Sequence, residues 1–315
     1  MLRTLVVPLD GSELAERALP YAVRLTESHR GRLVLMRAVV APPSIRLDGE
    51  DWERLQLEAV EEASDYLRGL AQTIQRVRVE TVVRYGRTVE SILDTVGDHA
   101  ADAVVMATHG RTGLCHLLSG SVTEAVLAGS TVPVFVVRAL PGESPQASFE
   151  PAAARLLVPL DGSDFDEPAL RTAIQALGAW GEITLVQVVQ PPDHVERGDN
   201  GRPIAFLDQQ EEARTRAARE YLNAIARDLR HQVPPIRVRV DVRVGEPVDG
   251  IAMAAAAAAS DVIVMATHAR TGLRRAVIGS IAGAVLRRSS TPVLLVHPQA
   301  PSHARTGPAE AALAR

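Results

Sequence analysis

The chain states one pattern twice, and that repetition limits what it can fold into more than any other feature. Leu5-Val-Val-Pro-Leu-Asp-Gly-Ser12 returns as Leu156-Leu-Val-Pro-Leu-Asp-Gly-Ser163, and Val105-Met-Ala-Thr-His-Gly-Arg-Thr-Gly-Leu114 returns as Val264-Met-Ala-Thr-His-Ala-Arg-Thr-Gly-Leu273. Gly120-Ser121 is matched by Gly279-Ser280, and Thr131-Val-Pro-Val134 by Ser290-Thr-Pro-Val293. Segments that recur in the same order and at the same spacing mark two copies of one unit. The length of 315 residues agrees, since a domain takes roughly 100–200 residues.

Within each copy, short β-branched runs alternate with longer helical patterns. Strands are expected over 3–9, 33–40, 78–84, 102–107 and 133–138, with helices over 13–29, 52–75, 88–99 and 121–129. The second copy repeats this with strands over 155–160, 183–190, 236–243, 261–266 and 293–297 and helices over 165–178, 206–231, 247–259 and 280–289. Runs such as Ala103-Val-Val-Met-Ala107 are apolar throughout, which indicates burial on both faces of a parallel sheet. The expected class is therefore α/β, with two doubly wound five-stranded parallel sheets of flavodoxin-like or Rossmann-like type in tandem. Residues 1–140 and 155–298 form the two domains, 141–154 a linker rich in Pro, Ser and Ala, and 299–315 a disordered tail. The segment Arg197-Gly-Asp-Asn-Gly-Arg-Pro203 is read as a flap in an insert longer than its first-copy counterpart.

Composition then removes several classes of activity. All 34 basic residues are Arg, so no Walker A, Schiff-base or catalytic lysine exists. The single cysteine, Cys115, excludes an intrachain disulfide and fits a reducing compartment. A net charge of −4 with interspersed signs gives no footprint for nucleic acid or an anionic membrane. The first residues lack the pattern of a signal peptide, and no apolar run nears the ~20 residues needed to span a bilayer. A soluble cytoplasmic protein is expected.

Chemistry concentrates in two segments. The first is Pro8-Leu9-Asp10-Gly-Ser12 after the first strand, where Ser12 suits a helix N-cap. The second runs from Met106 and Ala107 through His109, Gly110, Arg111 and Gly113 to Gly120 and Ser121. Ser121-Val122-Thr123-Glu124 fits a capping box. A glycine-bearing loop that ends at a helix N-terminus offers free amides and a favourable dipole to an anion. The second copy supplies Pro159, Asp161, Met265, Ala266, His268, Gly279, Ser280 and Ile281 at the matching places. His109, His268 and the arginines at 111 and 270 are each either ligand contacts or solvated side chains. Asp10 and Asp161 either order their turns or help to hold Mg²⁺. No metal-ligand spacing, nucleophile elbow or carboxylate pair appears.

On these motifs the chain resembles a tandem universal stress protein, a likeness that covers all but the linker and tail. Nucleotide-binding members of that family carry G-x2-G-x9-G-[ST] after the fourth strand. The first copy reads Ala107-x2-Gly110-x9-Gly120-Ser121, and the second Ala266-x2-Ala269-x9-Gly279-Ser280. The resemblance implies ATP or a related adenine nucleotide (ADP, AMP or cyclic AMP), with or without Mg²⁺. It places phosphates and ribose at Gly110, Gly120 and Ser121, adenine near Asp10 and the backbone of Ala38, and further amides at Val122 and Thr123. In the second copy it implies Asp161, Val188, Gly279, Ser280 and Ile281. It also implies an intramolecular pseudo-dimer through the final strands, and a homodimer beyond it.

The departures from the motif favour the first copy. Ala269 replaces the second motif glycine, a cost of roughly 1 kcal/mol if positive φ is needed there, and Gly283 stands where Glu124 does. A stress-response sensor or regulator is the leading reading. A nucleotide-free interaction module and a slow ATPase stand as alternatives, and no catalytic residue is assigned.

Overall fold

The computed structural model describes residues 2–40, 49–109, 121–139, 154–163, 166, 170–172, 174, 181–193, 196–197, 203–232, 236–266 and 279–296. The first copy runs β1 (Thr4–Pro8), α1 (Glu13–Glu16), α2 (Leu19–Ser28), β2 (Arg32–Val39), α3 (Gly49–Thr73), β3 (Arg78–Tyr85), α4 (Thr88–Asp98), β4 (Ala103–His109), α5 (Ser121–Gly129) and β5 (Val134–Ala139). The second follows with β6 (Arg155–Pro159), β7 (Glu182–Val189), β8 (Glu196–Arg197), β9 (Pro203–Ala205), α6 (Leu207–Gln232), β10 (Arg237–Val244), α7 (Pro247–Ala257), β11 (Val262–Ala266), α8 (Ser280–Arg288) and β12 (Val293–Val296).

Each copy lays down five parallel strands, in the order β3-β2-β1-β4-β5 and its counterpart β10-β7-β6-β11-β12. The two sets do not remain separate. β5 and β12 pair antiparallel, Phe135 opposite Leu294, and join both into one ten-stranded sheet. Thr131-Val-Pro-Val134 and Ser290-Thr-Pro-Val293 lead into these strands, and the register is centred on the equivalent residues Phe135 and Leu294, with Val134 opposite Leu295 and Val136 opposite Val293.

Alternation along each strand sends neighbours to opposite faces, and both faces are covered. Leu5 and Val7 of β1 join the cluster under α2, α3 and α6, while Val6 joins the one under α4, α5, α7 and α8. Each cluster draws on both copies, so the cores are continuous across the seam. The helices meet the sheet through faces written at helical spacing. Ala63, Tyr66, Leu67 and Leu70 line one side of α3, and Ala218, Leu222, Ile225, Ala226 and Leu229 line one side of α6. Each fully buried Leu or Ile contributes about 1.5–3 kcal/mol.

One expectation is corrected. The helix read over 13–29 is broken into α1 and α2, because Pro20 sits in the first turn of α2, where its missing N–H suits a fresh helix start. The insert of the second copy carries a short antiparallel ladder, β8 with β9, where the flap was expected; residues 198–202 lie outside the described residues. Of the helix expected over 165–178, positions 166, 170–172 and 174 are described, and all are helical.

Candidate functional site

The strand order reverses between β1 and β4, and in the second copy between β6 and β11. Successive connections leave such a point in opposite directions. That opens a crevice outside the carboxyl ends of the strands, where ligands of this architecture bind. Both chemistry-bearing segments end there: the Asp10-Gly-Ser12 turn follows β1, and residues 107–109 finish β4. α5 begins on the same side at Ser121.

The first turn is tightly built. Asp10 Oδ1 accepts from the Ser12 N–H at 2.9 Å and from the Ser12 hydroxyl at 2.6 Å. Ser12 Oγ accepts in turn from the Ala15 N–H at 3.1 Å and caps α1. Asp10 thus orders the turn. Gly11 bends the chain at φ +90°, a region costly for any residue with a Cβ. Beside it lies the Arg37 guanidinium, 3.5 Å from where a Gly11 Cβ would stand. Arg37 is held 5.2 Å from the centroid of the Tyr66 ring and 3.6 Å from Glu62. The Tyr66 hydroxyl donates to Glu16 at 2.8 Å. Burial first, and then that bond, push the Tyr66 phenol above its ordinary range.

The second turn keeps the backbone but changes the supports. Gly162 has φ +87°, and Asp161 Oδ1 accepts from the Ser163 N–H at 2.9 Å. Gln187 replaces Arg37, and its amide donates to the Asp161 carbonyl at 3.3 Å. Asp166 takes the place of Ala15. Its Oδ2 accepts from the main-chain N–H groups of Asp161 at 2.6 Å and Gly162 at 2.8 Å, with the Tyr221 hydroxyl 3.5 Å away. Burial, and next the nearby Asp161 charge, push the Asp166 carboxyl up to about 6, against the pull of those two main-chain bonds. Ser163 Oγ and Gln187 Oε1 are buried with no hydrogen-bond partner among the described residues.

Several candidate positions offer only backbone to a ligand, since the side chains of Leu9, Met106, Thr123 and Met265 are buried. Pro8, Ala38, Ala107, Val122, Pro159, Val188, Ala266 and Gly279 are half-buried, and Asp10, Asp161, Ser280 and Ile281 are exposed. Gly110, Arg111, Gly113, Gly120 and His268 lie outside the described residues. His109 pairs with Ala139 at the end of β4 through its backbone. α5 opens at Ser121, where the Ser121–Glu124 tetrad places a helix start; residue 120 lies outside the described residues. In the second copy Gly279 is the N-cap of α8 and makes no side-chain bond, leaving the first-turn amides of α8 without a side-chain cap. Sequence reasoning missed Arg37, Tyr66, Asp166, Gln187 and Tyr221. The available signal was Arg37 itself, a charge placed inside an otherwise apolar strand.

The family model for the universal stress proteins matches residues 1–138 and again 153–297. The chain belongs to the universal stress protein family. A universal stress protein of Mycolicibacterium smegmatis is 24% identical over 303 residues, spanning 94% of this chain and 97% of its own length. Universal stress protein MJ0531 of Methanocaldococcus jannaschii is 28% identical over 141 residues, 44% of this chain and 83% of its own. The crystal structure of a universal stress protein from Archaeoglobus fulgidus superimposes with a TM-score of 0.65 at 21% identity, covering 95% of this chain and 99% of that one. The tandem α/β architecture is thus shared along the whole length.

Proposed function

We propose that this universal stress protein binds ATP, or a closely related adenine nucleotide, and acts as a stress-response sensor or regulator. The observation that carries the reading is the strand-order reversal: the Asp10 turn, the end of β4 and the start of α5 follow or lie beside the carboxyl ends of the strands that flank it. That setting suits a nucleotide. Main-chain amides at a helix start favour phosphate, and half-buried Ala38 and Val188 give flat apolar contacts to a base. The order Gly110-x9-Gly120-Ser121 supports the same assignment through the family motif.

The first copy is the better site, because it keeps the glycine that Ala269 replaces in the second. Mg²⁺ would enter on the phosphates: among the described residues no group of three or more His, Cys, Asp or Glu is placed to hold a metal ion. Binding would bear on how the two copies meet at β5 and β12, as a pseudo-dimer within one chain and as a homodimer of chains. Among the described residues no helix is long and apolar enough to cross a membrane.

Calorimetric titration with ATP, ADP, AMP and cyclic AMP tests the reading. One adenine nucleotide should bind with a stoichiometry near one per chain, and Gly110→Asp should abolish it. No heat with any of the four, from protein verified free of bound nucleotide by mass spectrometry, would overturn it.

A further inference from the structure

The two ligand-facing turns share a backbone but not an electrostatic support. In the first, position 15 is Ala and the neighbouring cation is Arg37, a guanidinium that stays charged at every pH of interest and is sandwiched by Tyr66 and Glu62. In the second, position 166 is a carboxylate only 7% exposed. One oxygen of that carboxylate gathers the consecutive N–H groups of Asp161 and Gly162. Among the described residues the titratable groups facing it are Asp161 from the turn and Tyr221 from α6. β7 adds only the uncharged Gln187.

We propose that Arg37 and Asp166 are positioning residues that hold equivalent turns by different means, a guanidinium in the first copy and a buried carboxylate in the second, so that acid changes the support of the second turn alone. A charge-assisted bond from a main-chain N–H is roughly twice as strong as a neutral one. Protonation of Asp166 therefore weakens both of its bonds to the turn at once. The Asp161 carboxylate lies beside the proton that Asp166 takes up. In the first copy Ala15 stands at the equivalent position.

The inference deepens the nucleotide reading only by saying which site responds to pH, and its test needs no ligand. In ¹⁵N-labelled full-length protein, the amide shifts of Asp161 and Gly162 should inflect together near pH 6, where the Asp166 carboxyl titrates. Those of Asp10 and Gly11 should not inflect between pH 5 and 7.5. Asp166→Asn should remove the inflection without disturbing the dispersed spectrum of the fold. The double substitution Ala15→Asp with Arg37→Gln should transfer the inflection to Asp10 and Gly11. Flat Asp161 and Gly162 amides, an inflection that survives Asp166→Asn, or one already present at Gly11 in the unmodified chain would each overturn the proposal. ATP binding with flat amides removes this inference and spares the nucleotide reading; titrating amides without ATP binding do the reverse.

Discussion

At Asp166 a buried carboxylate is tolerated because two main-chain N–H groups converge on it, yet the balance still favours the proton. Its folded-state value of about 6 lies above the ordinary 3.8. The folded chain therefore binds this proton more tightly than the unfolded one, and stability from this group rises as pH falls from 7 toward 5. Linkage across that window amounts to about 1 kcal/mol. Urea midpoints at pH 7 and pH 5 should differ accordingly between the unmodified chain and Asp166→Asn, which lacks this slope. Equal slopes in the two proteins would contradict the assignment. Gly11 is a second residue-level constraint. At φ +90°, Gly11→Ala should cost about 1–2 kcal/mol of stability, measurable as a lowered denaturant midpoint. A Cβ there would meet the Arg37 guanidinium at ordinary contact distance, 3.5 Å, so the cost comes from the backbone. A midpoint equal to that of the unmodified chain would mean that the turn can relax its backbone.

The turns act through the elements they start. Ser12 caps α1 and holds Asp10, so Ser12→Ala should cost about 1 kcal/mol and weaken ATP binding if the turn faces the ligand. At the opposite ends of the strands, Asp102 accepts the N–H groups of Arg3 at 2.7 Å and Thr4 at 2.8 Å, and Asp261 accepts that of Arg155 at 2.8 Å. These carboxylates clamp the starts of β1 and β6. Asp102→Ala should destabilise by about 1–3 kcal/mol while leaving the ATP dissociation constant unchanged, since it lies at the far ends of the strands; a matching loss of affinity would refute that separation. The strands themselves were legible in the sequence because burial on both faces writes continuous apolar runs such as Val104–Met106. The break between α1 and α2 was less so, since Pro20 fits a helix start as readily as a helix stop. The supports of the turns were hidden for a different reason. Arg37 meets Gly11 from another strand, and Asp166 faces Tyr221 across 55 residues. The difference between the copies lies in substitutions that no local motif marks.

Across the whole molecule, duplication has turned two exposed sheet edges into one seam. An unpaired strand edge invites association, and here β5 and β12 satisfy each other within the chain. The equivalent residues Phe135 and Leu294 meet at its centre, and the Arg138 guanidinium adds a bond to the Arg288 carbonyl at 3.0 Å across the junction. Among the described residues Phe135 is the largest fully buried side chain. Besides pairing with Leu294 it lies 5.9 Å from the Tyr21 ring, linking the seam to α2. Both apolar clusters run through the junction, and neither copy can lose its last strand without exposing the core of the other. The chain should therefore unfold in one calorimetric transition rather than two. Phe135→Ala removes the aromatic ring from the middle of that shared core and should cost about 3–5 kcal/mol. Because the loss falls where the copies join, the single transition should also split, with the two halves melting at separate temperatures. A lowered but still single transition would mean that packing away from the seam is enough to couple the copies. Two transitions already present in the unmodified chain would mean that the continuous sheet carries little cooperativity at all.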